Sequence, residues 1–372
     1  MNLSYWEYKT WLSHIDYTIV GSGIVGLNCA LQLKTAHPNA KILVLEKGIL
    51  PQGASTKNAG FACFGSISEI LSDLRTHPEE EVVSLIQQRW GGIQLMRQNL
   101  GDAIIDFKNY GGHELFLNHQ TELYENCLSK LENTNQLLES VFDKKPFQTN
   151  LNSFNFKGIK ENYITHTLES QIDTGKMMQA LLHQIQKKDV TILNGITVED
   201  FTDNNDSVSV KTNEFEFKTK KLLIATNGFA SELIHEKVSP ARAQVIITKP
   251  IKDLHIKGTF HLDEGYYYFR NINNRILFGG GRNLDFKTEE TTEFGQTKLV
   301  QNELEKILRQ TILPNTPFEI ENRWSGIMGV GQQKRPILKQ ISNNVACGVR
   351  LGGMGVAIGS FVGKELADIV GI

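Results

Sequence analysis

Cysteine is scarce in this chain: four among 372 residues, Cys29, Cys63, Cys127 and Cys347, with no Cys-x-x-Cys pair. That usage excludes a disulfide scaffold and gives no zinc-type spacing, so no metal site is expected. It fits free thiols in a reducing compartment, and a cytoplasmic location is expected. A long hydrophobic run is also missing. The most apolar late stretch, 345–363, is broken by glycines and by Arg350, so no transmembrane segment is expected. The first residues lack the basic region and apolar stretch of a secretory signal; Ser4 to Glu7 instead reads as a capping box opening a short helix. Nor is one sign of charge in excess. With 39 basic and 41 acidic residues the net charge is −2, which leaves no electrostatic footprint for nucleic acid or an anionic membrane. What is present is an ordinary globular composition, 40% hydrophobic and 22% charged, at a length that suits two domains.

The most informative stretch runs from Asp16 to Gly48. A short apolar run leads into Gly21-Ser22-Gly23-Ile24-Val25-Gly26, a helical pattern follows, and a second apolar run ends in Glu46-Lys47. This is one βαβ unit that holds a dinucleotide. Gly21 allows the tight turn, Gly23 lets backbone approach a pyrophosphate, and Gly26 lets helix pack closely on strand. The anion then meets free N–H groups and the positive end of the helix dipole. Glu46 is placed to accept hydrogen bonds from a ribose.

Further along, residues 51–66 form a nearly uncharged run of small residues, which suits close approach to a flat or bulky ligand. Helices are expected over 68–74 and 79–100, the second opening with three acids. Short strands are expected over 107–110 and 113–117, a helix over 123–138, and an irregular polar segment over 142–156. Residues 173–187 read as an amphipathic helix, 190–193 and 196–201 as strands, and 207–212 with 214–218 as a hairpin. A separate buried strand from Lys221 then ends in the turn Ala225-Thr226-Asn227-Gly228. From 243 to 324 the chain is β-rich, with strands at 244–248, 265–270 and 275–279 and one helix over 297–311. Tyr266 to Phe269 are four consecutive aromatics, so alternate members face opposite sides of a sheet and two face a cavity. The tail ends in a buried strand, the glycine cluster Gly352-Gly353-Met354-Gly355-Val356 and a helix to about residue 369.

Taken together, these segments resemble the FAD-dependent amine and amino-acid oxidoreductases, the family of D-amino-acid oxidase, glycine oxidase and sarcosine oxidase. The most specific pieces are residues 16–46, 53–60, 225–228, 278–282, 323–326 and 352–356. The resemblance implies an α/β fold: a Rossmann-like FAD-binding domain (1–98, 166–235 and 326–372) interleaved with a second α+β domain (99–165 and 236–325) built on a largely antiparallel sheet. It implies that the loop with Ala54, Ser55, Thr56, Asn58, Ala59 and Gly60 lies along the pyrophosphate and flavin. Backbone at Thr197 or Val198 would hold the adenine, and 352–356 would meet the flavin pyrimidine edge, where a helix N-terminus offsets charge arriving with hydride. FAD is expected to be non-covalent, because the loop offers Lys57 and Asn58 where some relatives carry a histidine, and 324–336 has no cysteine.

Two departures matter. Glycine oxidase-like relatives place an arginine a few residues beyond the position of Trp324 to clamp a substrate carboxylate; Met328 stands near that place. Sarcosine oxidase-like relatives carry a lysine near the flavin on the 275–279 strand; Leu277 stands there, so oxygen or another electron acceptor is expected. Tyr266, Tyr268 and Arg270 are expected in the pocket wall, with Met328 and Arg350 nearer the flavin, and Arg270 or Arg350 could supply the missing cation. The resemblance implies hydride removal from a carbon bearing an amine, the substrate being a small amine or amino acid and the imine hydrolysing afterwards. A 2-hydroxy-acid dehydrogenase, with a base among His235, His255 and His261, is the alternative, and a non-catalytic flavin-binding accessory protein is a second.

Overall fold

A computed structural model describes residues 2–371. Two eight-stranded sheets organise it. The first has the order Ile337–Ser342, Val345–Val349, Glu216–Ile224, Ile15–Val20, Ile42–Glu46, Thr191–Asn194. Its centre is parallel and buried on both faces, which explains the near-continuous apolar strands such as Ile42–Glu46. Helices Ile24–Ala36, Thr174–Gln186 and Gly355–Gly371 cover one face through Leu27, Leu33, Met177, Leu181 and Val362. The antiparallel strands Val198–Asp203 and Val208–Thr212 extend the sheet beside the first half of Glu216–Ile224.

The hairpin expected from 207–212 and 214–218 forms, but its second strand and the strand expected from Lys221 are one element, Glu216–Ile224. Thr219 is the handover point: it pairs with Val208 of the meander and with Ile15 of the parallel sheet. The polar run Lys218–Lys221 hides this continuity, because only alternate side chains there are buried.

In the second sheet the order is Ile320–Val330, Ser239–Thr248, Arg275–Gly280, Tyr267–Ile272, Thr259–Leu262, Gly112–Leu115, Asn162–His166, Phe147–Leu151. All neighbours are antiparallel except Thr259–Leu262 with Gly112–Leu115. The segment 142–156, expected to be irregular, supplies the Phe147–Leu151 edge strand, whose polar middle residues face solvent. Phe107–Tyr110 makes no strand; Lys108 only bridges to Gln171. One sheet face packs Phe260, Phe269 and Phe278 against helix Lys298–Ile307. The other carries Val245, Leu277 and Tyr268 toward Ala59 and Phe61. Helices Ile67–Thr76, Glu79–Leu100 and Thr121–Phe142 form a flanking layer. Among the described residues no helix is long and apolar enough to cross a membrane.

Candidate active site

A single cavity of about 540 Å³ runs between the two sheets, within the usual range of ligand pockets. At one end lie Gly21, Gly23, Ile24, Val25, Glu46 and Lys47. Gly21 has φ of +102°, which side chains rarely adopt, and a Cβ on Gly26 would come within 1.9 Å of the Gly21 carbonyl. The turn therefore holds helix Ile24–Ala36 with its N-terminus against the cavity. Ser55 Oγ accepts from the Ile24 N–H at 2.9 Å, so the 53–60 loop is tied across that terminus.

Some predicted residues support this cradle without lining it. Ser22 donates through N–H and Oγ to Glu46 Oε2, at 3.1 and 2.7 Å, and Gly48 N–H reaches Glu46 Oε1 at 2.9 Å. Glu46 is thus held in place at the end of its strand, and its oxygens already serve the backbone of Ser22 and Gly48. Gly26, Thr56, Gly60 and Gly228 also stand outside the lining: Thr56 Oγ1 donates to the Pro51 carbonyl, and Gly60 and Gly228 face the carbonyls of Ile172 and Met328 too closely for a Cβ. Their smallness is spent on backbone crossing, where contact with a ligand was expected.

Ala54, Ser55, Asn58, Ala59, Thr197, Val198, Ala225, Thr226 and Asn227 line the middle of the cavity, as do Gly352, Gly353, Met354, Gly355 and Val356. Asn227 joins two of these turns, its Oδ1 accepting from the Leu351 N–H at 3.1 Å. A Cβ on Gly352 or Gly353 would meet nothing within 4 Å, so backbone there borders open space at the start of helix Gly355–Gly371. Trp324 Nε1 donates to the Lys57 carbonyl at 2.9 Å and fastens the 53–60 loop to the second sheet. An extended dinucleotide fits this arrangement: a glycine turn and helix N-terminus at one end, a second helix N-terminus near the other, and a tied small-residue loop between.

Beyond that loop the walls change. Tyr266 and Tyr268 line the cavity, while Tyr267 and Phe269 point into the opposite core, as strand alternation requires. Enclosure pushes the Tyr268 phenol up to about 12, so it stays protonated. Met328 lines the cavity with no charge to offer, and Leu277 sits in a buried apolar patch with Ala59 and Val245.

The two arginines singled out from sequence need correction. Arg270 does not line the cavity. It is 2% exposed, and its guanidinium lies under Gly60, where burial pulls it down to about 10 against the attraction of Asp173 and Asp106. Arg350 does line the cavity, but its Nε and Nη2 donate to the Arg335 carbonyl at 3.2 and 2.9 Å, so it pins the 331–336 loop.

Sequence reasoning missed most of the charged chamber that completes this end, formed by Glu69, Asp73, Arg89, His261 and Glu264. Asp73 pairs with Lys334 at 2.7 Å. His261, buried against the Phe61 ring, bonds Glu169 Oε1 through Nε2 at 2.6 Å. Burial opposes charge on this imidazole, but Glu169, aided by Glu69 and Glu114, outweighs it and raises the group to about 9. His113 and His166 lack such a partner; burial, with His261 nearby, lowers them to about 4 and about 3. Burial lifts Glu114 to about 7 although Ser68 donates to it. Of the three histidines weighed as bases, His235 and His255 are exposed and only His261 reaches the cavity. Nothing local in the sequence marks Arg89, which lies in an ordinary amphipathic helix. A lone charge on a mostly buried helix face is the one available signal.

Comparison with known proteins places this geometry. A family model described as DAO, FAD dependent oxidoreductase, matches residues 16–369. The chain is 22% identical over 389 residues to a "probable oxidoreductase OrdL" of Haemophilus influenzae, covering 97% of this chain and 84% of that protein. Among solved structures, glycine oxidase from Geobacillus kaustophilus superposes with a TM-score of 0.77 at 17% identity, covering 96% of this chain and 94% of the other. L-proline dehydrogenase from P. horikoshii gives 0.75 at 17% identity, covering 96% and 93%.

Proposed function

The chain belongs to the family of FAD-dependent oxidoreductases, and from that premise we propose that it removes hydride from the CH–NH group of a small amine or amino acid, the imine then being hydrolysed. Membership makes it an FAD enzyme, which sets aside an accessory role without turnover. The observation that carries the substrate reading is the continuity of the cavity from the glycine cradle at Gly21 to the chamber at Tyr268, Arg89 and His261. Similarity in fold to proteins named for glycine and L-proline oxidation agrees with it.

In this reading Gly21, Gly23, Ile24 and Val25 receive the pyrophosphate, Glu46 the ribose, Thr197 and Val198 the adenine, and the 54–59 loop and 352–356 the flavin. FAD is bound without a covalent link: 53–60 holds neither histidine nor cysteine, and burial pushes the Cys63 thiol up, away from its reactive thiolate. When bound, FAD supplies the hydride acceptor. The protein's part is to position and to exclude water. Phe61, Ile70, Met328 and Leu351 give the chamber apolar surface, and Tyr268 offers a neutral phenol as donor. The helix N-terminus at Gly355 favours negative charge beside it. No proton acceptor is needed if the amine enters neutral, so orientation carries the rate. The 2-hydroxy-acid alternative needs a neutral histidine, and His261 is held charged across neutral pH by Glu169. The four free cysteines support a cytoplasmic location.

The test has two stages. The purified protein should show flavin absorbance, retained by the native chain and released on denaturation. Anaerobic mixing with amines, N-methyl amino acids, D- and L-amino acids and 2-hydroxy acids should bleach that absorbance with nitrogen compounds. Bleaching by hydroxy acids alone would reject the amine reading. Reoxidation by oxygen and by a dye then identifies the acceptor.

A further inference from the structure

The connection between strands Ile320–Val330 and Ile337–Ser342 crosses the substrate end of the cavity as a strap, residues 331–336. Residues 331–335 are exposed, yet Gly331, Gln333 and Lys334 also line the cavity. One layer of chain therefore separates the chamber from water on this side. Backbone does not hold that layer in place: among the described residues, 331–336 make no backbone–backbone hydrogen bond, and Pro336 has no N–H to give. Nor does apolar packing, since Gly331-Gln332-Gln333-Lys334-Arg335 offers no apolar side chain.

Side chains hold the strap instead, and they do so unequally. Arg350 secures both ends. Its Nε and Nη2 donate to the Arg335 carbonyl at 3.2 and 2.9 Å, and its stem lies against Gly331, where a Cβ would stand 2.7 Å from Cδ. Arg350 has φ of +64°, uncommon for a residue with a side chain, and leads into the 352–356 turn through Leu351, whose N–H is held by Asn227. Among the described residues, the apex 332–334 has one tie: Lys334 Nζ meets Asp73 at 2.7 Å, on helix Ile67–Thr76. Asp73 is nearly buried there and Lys334 is half-exposed. The other segments bordering the chamber are anchored through backbone. At the 263–266 tip the Tyr266 N–H donates to the Asp263 carbonyl and the Gly281 N–H to the Tyr266 carbonyl; in the 53–60 loop the Lys57 N–H donates to the Ala54 carbonyl. A segment without such bonds is the first to open.

We propose that residues 331–336 are a gate over the substrate end of the cavity, latched by Lys334 and Asp73 and hinged on Arg350. Closed, the strap excludes water from the chamber; open, it admits substrate and releases product. A partly exposed ion pair contributes little, so this latch breaks and re-forms readily. The hinge side stays attached, because the charge-assisted bonds from Arg350 remain when the latch breaks. The inference goes beyond the amine-oxidation reading and does not depend on it, since it rests on the cavity and its wall.

The test uses the FAD-loaded protein and two readouts that need no substrate. The first is the rate constant for quenching of flavin fluorescence by acrylamide, a small neutral probe that must enter the chamber. The second is the rate of tryptic cleavage after Lys334, located by mass spectrometry, which requires the strap to detach. Asp73→Asn removes the latch and keeps the shape of the side chain, and both rates should rise by roughly 1.5- to 5-fold, the worth of an exposed ion pair. Lys334→Gln should raise quenching equally, and the double variant should exceed neither single, because the two residues act through one bond. High salt should raise quenching in the wild type toward the variant value and leave the variants unchanged. Lys145→Gln, which breaks a remote exposed pair with Glu132 at 2.5 Å, should change nothing. The proposal is overturned if wild-type flavin is quenched as readily as free FAD, if either rate in Asp73→Asn equals that of the wild type, or if the single effects add in the double variant. Absence of bleaching by any amine would reject the oxidation reading and leave these outcomes as they are.

Discussion

His261 Nε2 lies 2.6 Å from Glu169 Oε1, and both side chains are almost wholly buried. Glu169 Oε1 also accepts from Thr259 Oγ1 at 2.9 Å, so one carboxylate oxygen serves both the hydroxyl and the imidazole. The pair places a positive ring on the wall of the cavity.

That pair sets a pH dependence of stability. His261 rises on folding from 6.5 to about 9, so its contribution is complete below pH 6.5 and is lost as pH climbs through about 9. Glu114, raised from 4.5 to about 7, loses its contribution over that lower interval. His113 and His166 run the other way: lowered from 6.5 to about 4 and about 3, they contribute fully above pH 6.5 and lose it as the solution acidifies. Tm should therefore peak near neutrality and fall on both sides. In Glu169→Gln the alkaline decline between pH 6.5 and 9 should flatten; an unchanged decline would show that His261 is not the group titrating.

Gly26 and Gly23 should respond differently to alanine. At Gly26 the new methyl meets backbone oxygen at 1.9 Å, whereas at Gly23 it meets only Ser55 Oγ at 2.8 Å, a side chain that can rotate. Gly26→Ala should lower the stability of the FAD-free protein by about 1–3 kcal/mol, the range for overpacking, or more if the turn cannot shift. Gly23→Ala should leave that stability nearly intact and weaken FAD binding. Urea melts together with FAD titration, read by flavin fluorescence, separate the two effects.

Trp324→Phe removes the bond to the Lys57 carbonyl and keeps most of the ring. A net hydrogen bond of about 0.5–1.5 kcal/mol corresponds to roughly 2- to 12-fold weaker FAD retention, because the loop is released from the second sheet. Equal affinity in the variant would mean that the loop is held by its own contacts.

Away from the cavity, Arg242 and Glu289 form a buried pair at 2.7 Å, with Gln244 and Thr297 also donating to Glu289. Glu289→Ala strands the guanidinium and should destabilise by about 3–5 kcal/mol in urea unfolding. Replacing both partners by apolar residues should recover part of that loss.

Much of the fold was legible because its signals are local. The Gly21–Gly26 turn, the helix Thr174–Gln186 and the strand Ile42–Glu46 each announce themselves by spacing within a few residues. The misreadings came where one element serves two surroundings. Glu216–Ile224 is half meander and half buried parallel strand, so neither pattern covers it; Phe147–Leu151 is an edge strand whose exposed polar residues resemble a loop. Arg270 alternates correctly with Tyr268, but alternation gives only the face of the sheet. How far along that face the cavity extends depends on the loop at Gly60 covering it.

The sequence by itself determined the cofactor end, since a glycine turn, a helix N-terminus and an acid within about thirty residues already compose an anion and ribose site. The substrate end was decided by tertiary structure alone. Glu169 and His261 are 92 residues apart and Arg89 reaches Phe64 across 25, and these meetings follow from the strand order of the second sheet and the seating of a helix layer beside it. Periodicity records which side chains are withdrawn from water. Which of them meet is fixed only when the two sheets close over the cavity.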